Sequence, residues 1–95
     1  TSGVERSAEE MRRLVDEGVA MGEVTPSAGQ DIHEHIDKVL QEHGEGDHAE
    51  ATQKVDELRD RLRELQRDGE IETRRYAELR RAADDLRREV RASGE

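Results

Sequence analysis

The chain predicts an all-α fold: a small antiparallel helical bundle, built as four helices from two hairpins or as three long helices with a short first one. Three observations carry this. Apolar residues recur at steps of three and four from Met11 to Val90, glycines separate the periodic stretches, and the pattern repeats at an offset of 47 residues, Gly22 to Gly69. The repeat is plainest in two short segments, "MGEVTPSAG" (Met21 to Gly29) and "RDGEIETRRY" (Arg67 to Tyr76). Each places Gly-Glu and a β-branched residue between two helix-like stretches. Gly22, Glu23 and Val24, matched by Gly69, Glu70 and Ile71, are therefore expected to be structural turns. Glycine takes the left-handed stop, and Val24 or Ile71 plugs the bundle end between the helices it joins. The intervening Glu70 is expected to contribute little to stability.

The first helix is expected over residues 8–21. Ser7 and Glu10 form a capping-box pattern, and Met11, Leu14, Val15 and Val19 follow as one stripe. Gly18 inside it either lets another helix approach or weakens the helix end, and the second reading is favoured slightly. Thr25 and Pro26 supply an N-cap and a first-turn proline for a second helix over 26–43, with Ile32, Ile36, Val39 and Leu40 inward. Gly44 and Gly46 stop it, and Asp47 with Glu50 opens a third helix over 48–68. Ala51, Val55, Leu58, Leu62 and Leu65 give that helix a two-position heptad seam. Thr73 is expected to cap a fourth helix over 74–92, whose seam reads Tyr76, Leu79, Ala83, Leu86 and Val90. Residues 1–7 are then a flexible leader, 8–92 a single bundle of hairpins 8–43 and 48–92, and 93–95 a tail.

Composition limits what such a bundle can do. Among 95 residues there are 7 Leu, 3 Ile, 7 Val and no Phe, with a net charge of −9, a balance that by itself suggests disorder. The periodicity overrides that suggestion, but the core must be aliphatic and thin, unsuited to a buried catalytic cavity. Residues 1–48 carry 4 basic and 12 acidic side chains, residues 49–95 carry 12 and 13. No basic face offers itself to nucleic acid or to an anionic membrane. Zero cysteines exclude disulfides and thiolate chemistry, and no apolar run has the length of a membrane span. The chain begins without Met and is expected to be a piece of a longer protein.

Candidate chemistry is sparse. His43, Glu45, Asp47 and His48 flank "HGEGDH" and are weak candidates for a divalent metal. His33 and His35 lie two apart on a helix, and none of the four histidines has the i, i+4 spacing of a helical zinc pair. Solvated histidines are the preferred reading. The acidic residues Asp16, Glu17, Glu23, Asp31, Glu34, Asp37, Glu42, Glu45 and Asp47 suit either a docking face for a basic partner or a solvated helix face. Glu57 with Arg61, and Asp84 with Arg88, are placed for exposed i, i+4 pairs worth a few tenths of a kcal/mol each. Ser2, Ser7, Ser27 and Ser93 fall at termini or caps with no partnering base, so no catalytic residue and no cofactor is expected.

The succession "GEVTPSAGQDIHEHIDKVL", "GEGDHAEATQKVDEL" and "LRELQRDGEIETRRYAELRRAADDL" resembles the FIMAH-type helical module, over Met11 to Val90. Members accompany metalloproteases and other secreted hydrolases, and similar modules lie in the extracytoplasmic C-terminal part of transmembrane serine/threonine protein kinases of actinobacteria. The 14 Arg against 2 Lys fit a GC-rich coding sequence of that kind. The resemblance implies a non-catalytic accessory, sensing or protein-interaction domain, tethered outside the membrane by a span beyond this fragment, with a protein or cell-wall-associated ligand. Kinase activity would belong to the remainder of the parent, since neither a His-Arg-Asp nor an Asp-Phe-Gly motif is present. A structural spacer or dimerisation element, or a cytosolic helical adaptor, is the alternative. The chain itself is expected to be a monomer or weak dimer, without nucleic acid and without inserting into a membrane.

Overall fold

The computed structural model describes residues 2–94 and contains four helices: α1 (Gly3–Ala20), α2 (Pro26–Gly44), α3 (His48–Arg67) and α4 (Thr73–Ser93). Each helix packs on its sequence neighbour and α1 closes the ring against α4, giving a four-helix bundle from two hairpins. Three long helices with a short first one is thereby excluded. Among the described residues no helix is long and apolar enough to cross a membrane.

The start of α1 corrects the expectation. Ser2, not Ser7, is the N-cap: its Oγ accepts from the Glu5 amide at 3.1 Å, so residues expected as a leader are helical, while Thr1 lies outside the described residues. The reason is hydrophobic. Val4 and Ala8 extend the Met11 and Val15 stripe upstream, both are buried, and Ser2 with Glu5 repeats the Ser-x-x-Glu pattern five residues earlier. At the other end α4 reaches Ser93, so of the expected tail only Gly94 follows the helix among the described residues, and Glu95 lies outside them. Thr25 and Asp47 cap α2 and α3 as expected, accepting from the Ala28 and Glu50 amides at 3.2 Å and 3.0 Å. Helix α4 is capped instead by Glu72, whose carboxylate accepts from the Arg74 amide at 3.0 Å.

The core contains most of the expected seam positions, while Leu14, Val19 and Leu40 are only partly buried at its edge and Val4, Ala8, Ala28 and Ala82 join it. Ala51, Val55, Leu58, Leu62 and Leu65 are all buried, as are Ile32, Ile36 and Val39 from α2 and Leu79, Ala83, Leu86 and Val90 from α4. Each such Leu or Ile contributes on the order of 2 kcal/mol relative to exposure. Tyr76 is only half-buried at the edge of this core, and the position it was expected to fill belongs to Arg75, which is 5% exposed.

The anticipated i, i+4 pairs do not form. Arg61 reaches across to Asp31 of α2 at 2.6 Å, and Asp84 forms an ion pair with Arg59 of α3, 3.1 Å from its Nε, while Arg88 pairs with Asp85. Arg87 joins α4 to Asp56 of α3 at 2.8 Å. These half-buried arginines span helices because their long stems lie along the seams and carry the guanidinium to the next helix.

Candidate functional site

The two Gly-Glu-[Val/Ile] turns meet. Gly22 (φ 76°) and Gly69 (φ 79°) hold the left-handed conformation, and the amides of Glu23 and Glu70 return to the carbonyls of Gly18 and Leu65 at 2.8 Å and 2.9 Å. This throws the next residue out as a short extended segment, and the two segments pair as an antiparallel bridge between Val24 and Ile71. The Thr25 amide donates to the Glu70 carbonyl at 3.0 Å, and the Glu72 amide to that of Glu23 at 2.8 Å. Val24 and Ile71, each 2% exposed, seal the bundle end. The turns were expected to act separately, each between its own two helices; pairing with one another satisfies backbone groups that a buried bundle end would otherwise leave unbonded.

Beside this bridge lies the one buried charged residue among those described, Arg75. Glu23 accepts from its Nε at 2.8 Å and lies 2.6 Å from Nη2, Glu17 accepts from Nη2 at 3.3 Å, and Glu78 lies 3.1 Å from Nη1. The Leu14 carbonyl accepts from Nη1 at 3.4 Å and Met21 Sδ takes a weak contact from Nη2 at 3.7 Å. Burial pulls the guanidinium pKa down, but the bonds to Glu23 and Glu17 outweigh it and hold it above the ordinary arginine value. The bond from Arg75 in turn lowers the Glu23 pKa, against an opposing push from burial. The Arg75 stem lies against Gly18, where an added Cβ would sit 3.2 Å from Arg75 Cγ and 2.7 Å from Val24 Cγ2. Gly18 is thus a close-approach glycine inside α1 rather than a weakened helix end. Glu17, Met21, Glu23, Arg74 and Glu78 line the recess over Arg75. Its arginine stays protonated and saturated with acceptors, and its three carboxylates are engaged on that arginine, so the cluster locks α1, the first turn and α4 together.

Glu70 also does more than expected, accepting from Thr25 Oγ1 at 3.0 Å and Ser27 Oγ at 3.3 Å. The two turn carboxylates therefore both cross between hairpins, Glu23 to α4 and Glu70 to the start of α2.

The histidines divide. His33 Nε2 lies 2.8 Å from Asp16 Oδ1 and its Nδ1 lies 2.9 Å from Arg12 Nη1, while Arg12 also pairs with Asp37. Arginine only donates, so Nδ1 accepts and Nε2–H donates to Asp16, binding α1 to α2. His35 Nδ1 approaches the Asp31 carbonyl and carboxylate, the latter shared with Arg61. These two are bonded between or along helices rather than merely solvated. At the opposite bundle end His43 and His48 rings meet edge to face at 6.1 Å, Asp47 is occupied in capping α3, and Glu45 accepts from Gln41. Gly44 closes α2 and Gly46 (φ 78°) makes the left-handed turn. Among the described residues no group of three or more His, Asp or Glu is arranged to hold a metal ion. The acidic residues of the first hairpin are likewise not one free face: Asp31, Asp37, Asp16, Glu17 and Glu23 are taken up in the bonds above, and Glu42, Glu45 and Asp47 lie at the other end.

A family model for the FIMAH domain matches residues 8–88, a span that holds both Gly-Glu-[Val/Ile] turns and the glycine loop between the two hairpins. The chain belongs to the FIMAH domain family. It is thus a non-catalytic helical domain. No curated protein and no solved structure matches this FIMAH domain. Arg75, absent from the expected seam, nonetheless carries a sequence signal: it stands four residues from both Ile71 and Leu79, on the buried stripe, and Gly18 on the α1 stripe leaves room for a long side chain.

Proposed function

We propose that this FIMAH domain is an accessory recognition module of a larger protein, reading a protein or cell-wall-associated ligand on the extracytoplasmic side of a membrane. We further infer that its parent is a transmembrane serine/threonine protein kinase, the context that the resemblance implies. The observation that supports recognition is the inward use of bonding capacity: Arg75, Glu23, Glu70, His33 and Asp31 all fasten one element to another. Such cross-bracing holds exposed helix faces in fixed register, which lowers the ordering cost of binding.

Two measurements test this reading. The isolated chain should cosediment saturably with purified peptidoglycan sacculi or with an extracytoplasmic protein partner, and the parent lacking residues 8–88 should keep kinase turnover yet lose its response to that ligand. A parent with neither a kinase domain nor a membrane span would overturn the kinase context. The alternative of a dimerisation element has less support, because the α3 and α4 seams that could pair with a second chain are buried within this one. Sedimentation equilibrium giving a monomer at micromolar concentration is the expected result, and a stable dimer would favour the spacer or dimerisation reading.

A further inference from the structure

The two hairpins cover their helix seams differently. In the second, Tyr76 lies half-buried against the core with its hydroxyl accepting from Arg80 Nη1 at 3.3 Å, and Gln66 Nε2 donates to Thr73 Oγ1 at 3.4 Å between α3 and α4. In the first, the residue standing in the place of Tyr76 is Gly29. It is buried, and α1 and α2 approach so closely that a Cβ there would lie 2.8 Å from Val19 Cγ2. No side chain grows from this position to cover the α1–α2 seam. What remains is a shallow open groove lined by Val19, Ala20, Pro26, Gly29 and Gln30, with Asp16 and His33 at one side. Ala20 stands where the second hairpin has Arg67, and Pro26 where it has Thr73, so the groove is also the more apolar of the two.

Its rim is acidic. Asp16 is 72% exposed, with one carboxylate oxygen on His33. Glu34, one turn beyond Gln30, is exposed and makes no hydrogen bond or ion pair among the described residues. Arg12, the cation that reaches His33, is taken up by His33 and Asp37. An apolar floor with the exposed, half-engaged Asp16 at its side and the unpaired Glu34 one turn further along α2 fits a ligand that is apolar in the middle and cationic at its flanks.

We propose that the α1–α2 groove binds a basic segment of a partner protein, laying an aromatic side chain over Val19, Ala20 and Pro26 and facing its lysines or arginines to Asp16 and Glu34. The aromatic ring takes the role that Tyr76 plays within the chain at the second hairpin. The proposal rests on the recognition-module reading and names the surface that does the recognising.

The test uses acetyl-Lys-Tyr-Lys-amide as probe and acetyl-Glu-Tyr-Glu-amide as its control, titrated into the isotope-labelled chain and followed by amide correlation spectra. Saturable shifts confined to Val19, Ala20, Gly29, Gln30 and His33 are expected with the lysine peptide, at least tenfold weaker binding with the glutamate peptide, and weakening with added salt. Ala20→Arg, a change at an exposed helical position that reproduces the second hairpin, should weaken the lysine peptide at least tenfold with the melting temperature unchanged. Equal binding of the two peptides, unchanged binding to Ala20→Arg, or no saturable shift with either would overturn the proposal. Saturable shifts on another face would overturn the groove and leave the recognition module standing. Failure of sacculus or partner binding with intact peptide binding in the groove would do the reverse. Shifts at the groove amides that grow with protein concentration alone would assign the groove to a second copy, and that too overturns it.

Discussion

The two hairpins share a backbone and divide its volume oppositely. Where α1 faces the start of α4, the first hairpin contributes Gly18 and the second a buried arginine, Arg75. At the equivalent positions, 47 residues on and back, stand Leu65 and Ala28, both buried and both apolar. Small-plus-long replaces long-plus-small, and in one case the long residue is charged. The turns meanwhile keep nearly the same glycine φ and the same amide-to-carbonyl returns. Backbone geometry at a helix stop is set by few residues and repeats easily; a packing site needs only its summed volume, so its composition can drift. The consequence is a bundle whose paired-turn end is apolar on one side of the pseudo-twofold and salt-bridged on the other.

The largest effect should come from charging the plug. Ile71→Asp and Val24→Asp each bury a carboxylate beside the bridge and should destabilise by more than about 3 kcal/mol. If chemical denaturation shows one of them tolerated, the two turns are not equivalent and the comparison breaks. Next, Arg75→Ala strands Glu17, Glu23 and Glu78 together and empties the space over Gly18; a loss of about 2–3 kcal/mol is expected, read as a melting point lower by roughly 10–20 °C. Gly18→Ala alone should cost about 1–2 kcal/mol by crowding Val24 and Arg75. Less should be lost when Arg75→Ala is already present, since one of the two neighbours has then withdrawn, and strict additivity of the pair would argue against the volume exchange.

Acid titration separates the two ends of the bundle. Glu23 is held below its ordinary value of 4.5 by Arg75, so its contribution is complete above about pH 4.5 and is lost as pH falls through the lowered value. Glu42, at the other end, is pushed upward first by burial and then by Glu45, Glu50 and Asp47, so its charge opposes folding at neutral pH and protonation relieves it. Glu23→Gln should therefore lower the melting temperature at pH 7, and Glu42→Gln should raise it by a smaller amount; the Glu42 effect fades first, as pH falls through its raised value towards 4.5, and the Glu23 effect only below 4.5. Changes of the same sign would mean that local charge does not govern these ends. The smallest effect belongs to Glu70→Ala, which removes two partly exposed acceptor bonds, from Thr25 and Ser27, and should cost at most about 1 kcal/mol.

The helices, their seams and the glycine stops were legible because period and punctuation are local properties. Ser2 was not, since two Ser-x-x-Glu patterns compete and only the burial of Val4 and Ala8 decides between them. The bridge was not either: the matching turns could be seen, but that they face one another depends on how the hairpins close. Arg75 is hidden because steps of three and four run as well through Tyr76, and polarity argues for the aromatic. Arg61 and Asp84 went to other helices for the same reason, as sequence spacing names the nearest partner on one helix and packing supplies a nearer one on the next.

The bridge between residues 24 and 71 has a further meaning for assembly. Its two hydrogen bonds exchange roles when one hairpin is swapped for the other, Thr25 to Glu70 and Glu72 to Glu23. That is the signature of an isologous contact, the kind two identical subunits make about a twofold axis. The 45–47 loop then acts as a tether that raises the local concentration of one half for the other. At that same end Ser93 Oγ lies 3.3 Å from His48 Nδ1 and Gly94 packs on the His48 side chain, so the close of α4 sits beside the loop it mirrors. A chain joined there and opened at Gly46 would present the same twofold with its halves in reverse order.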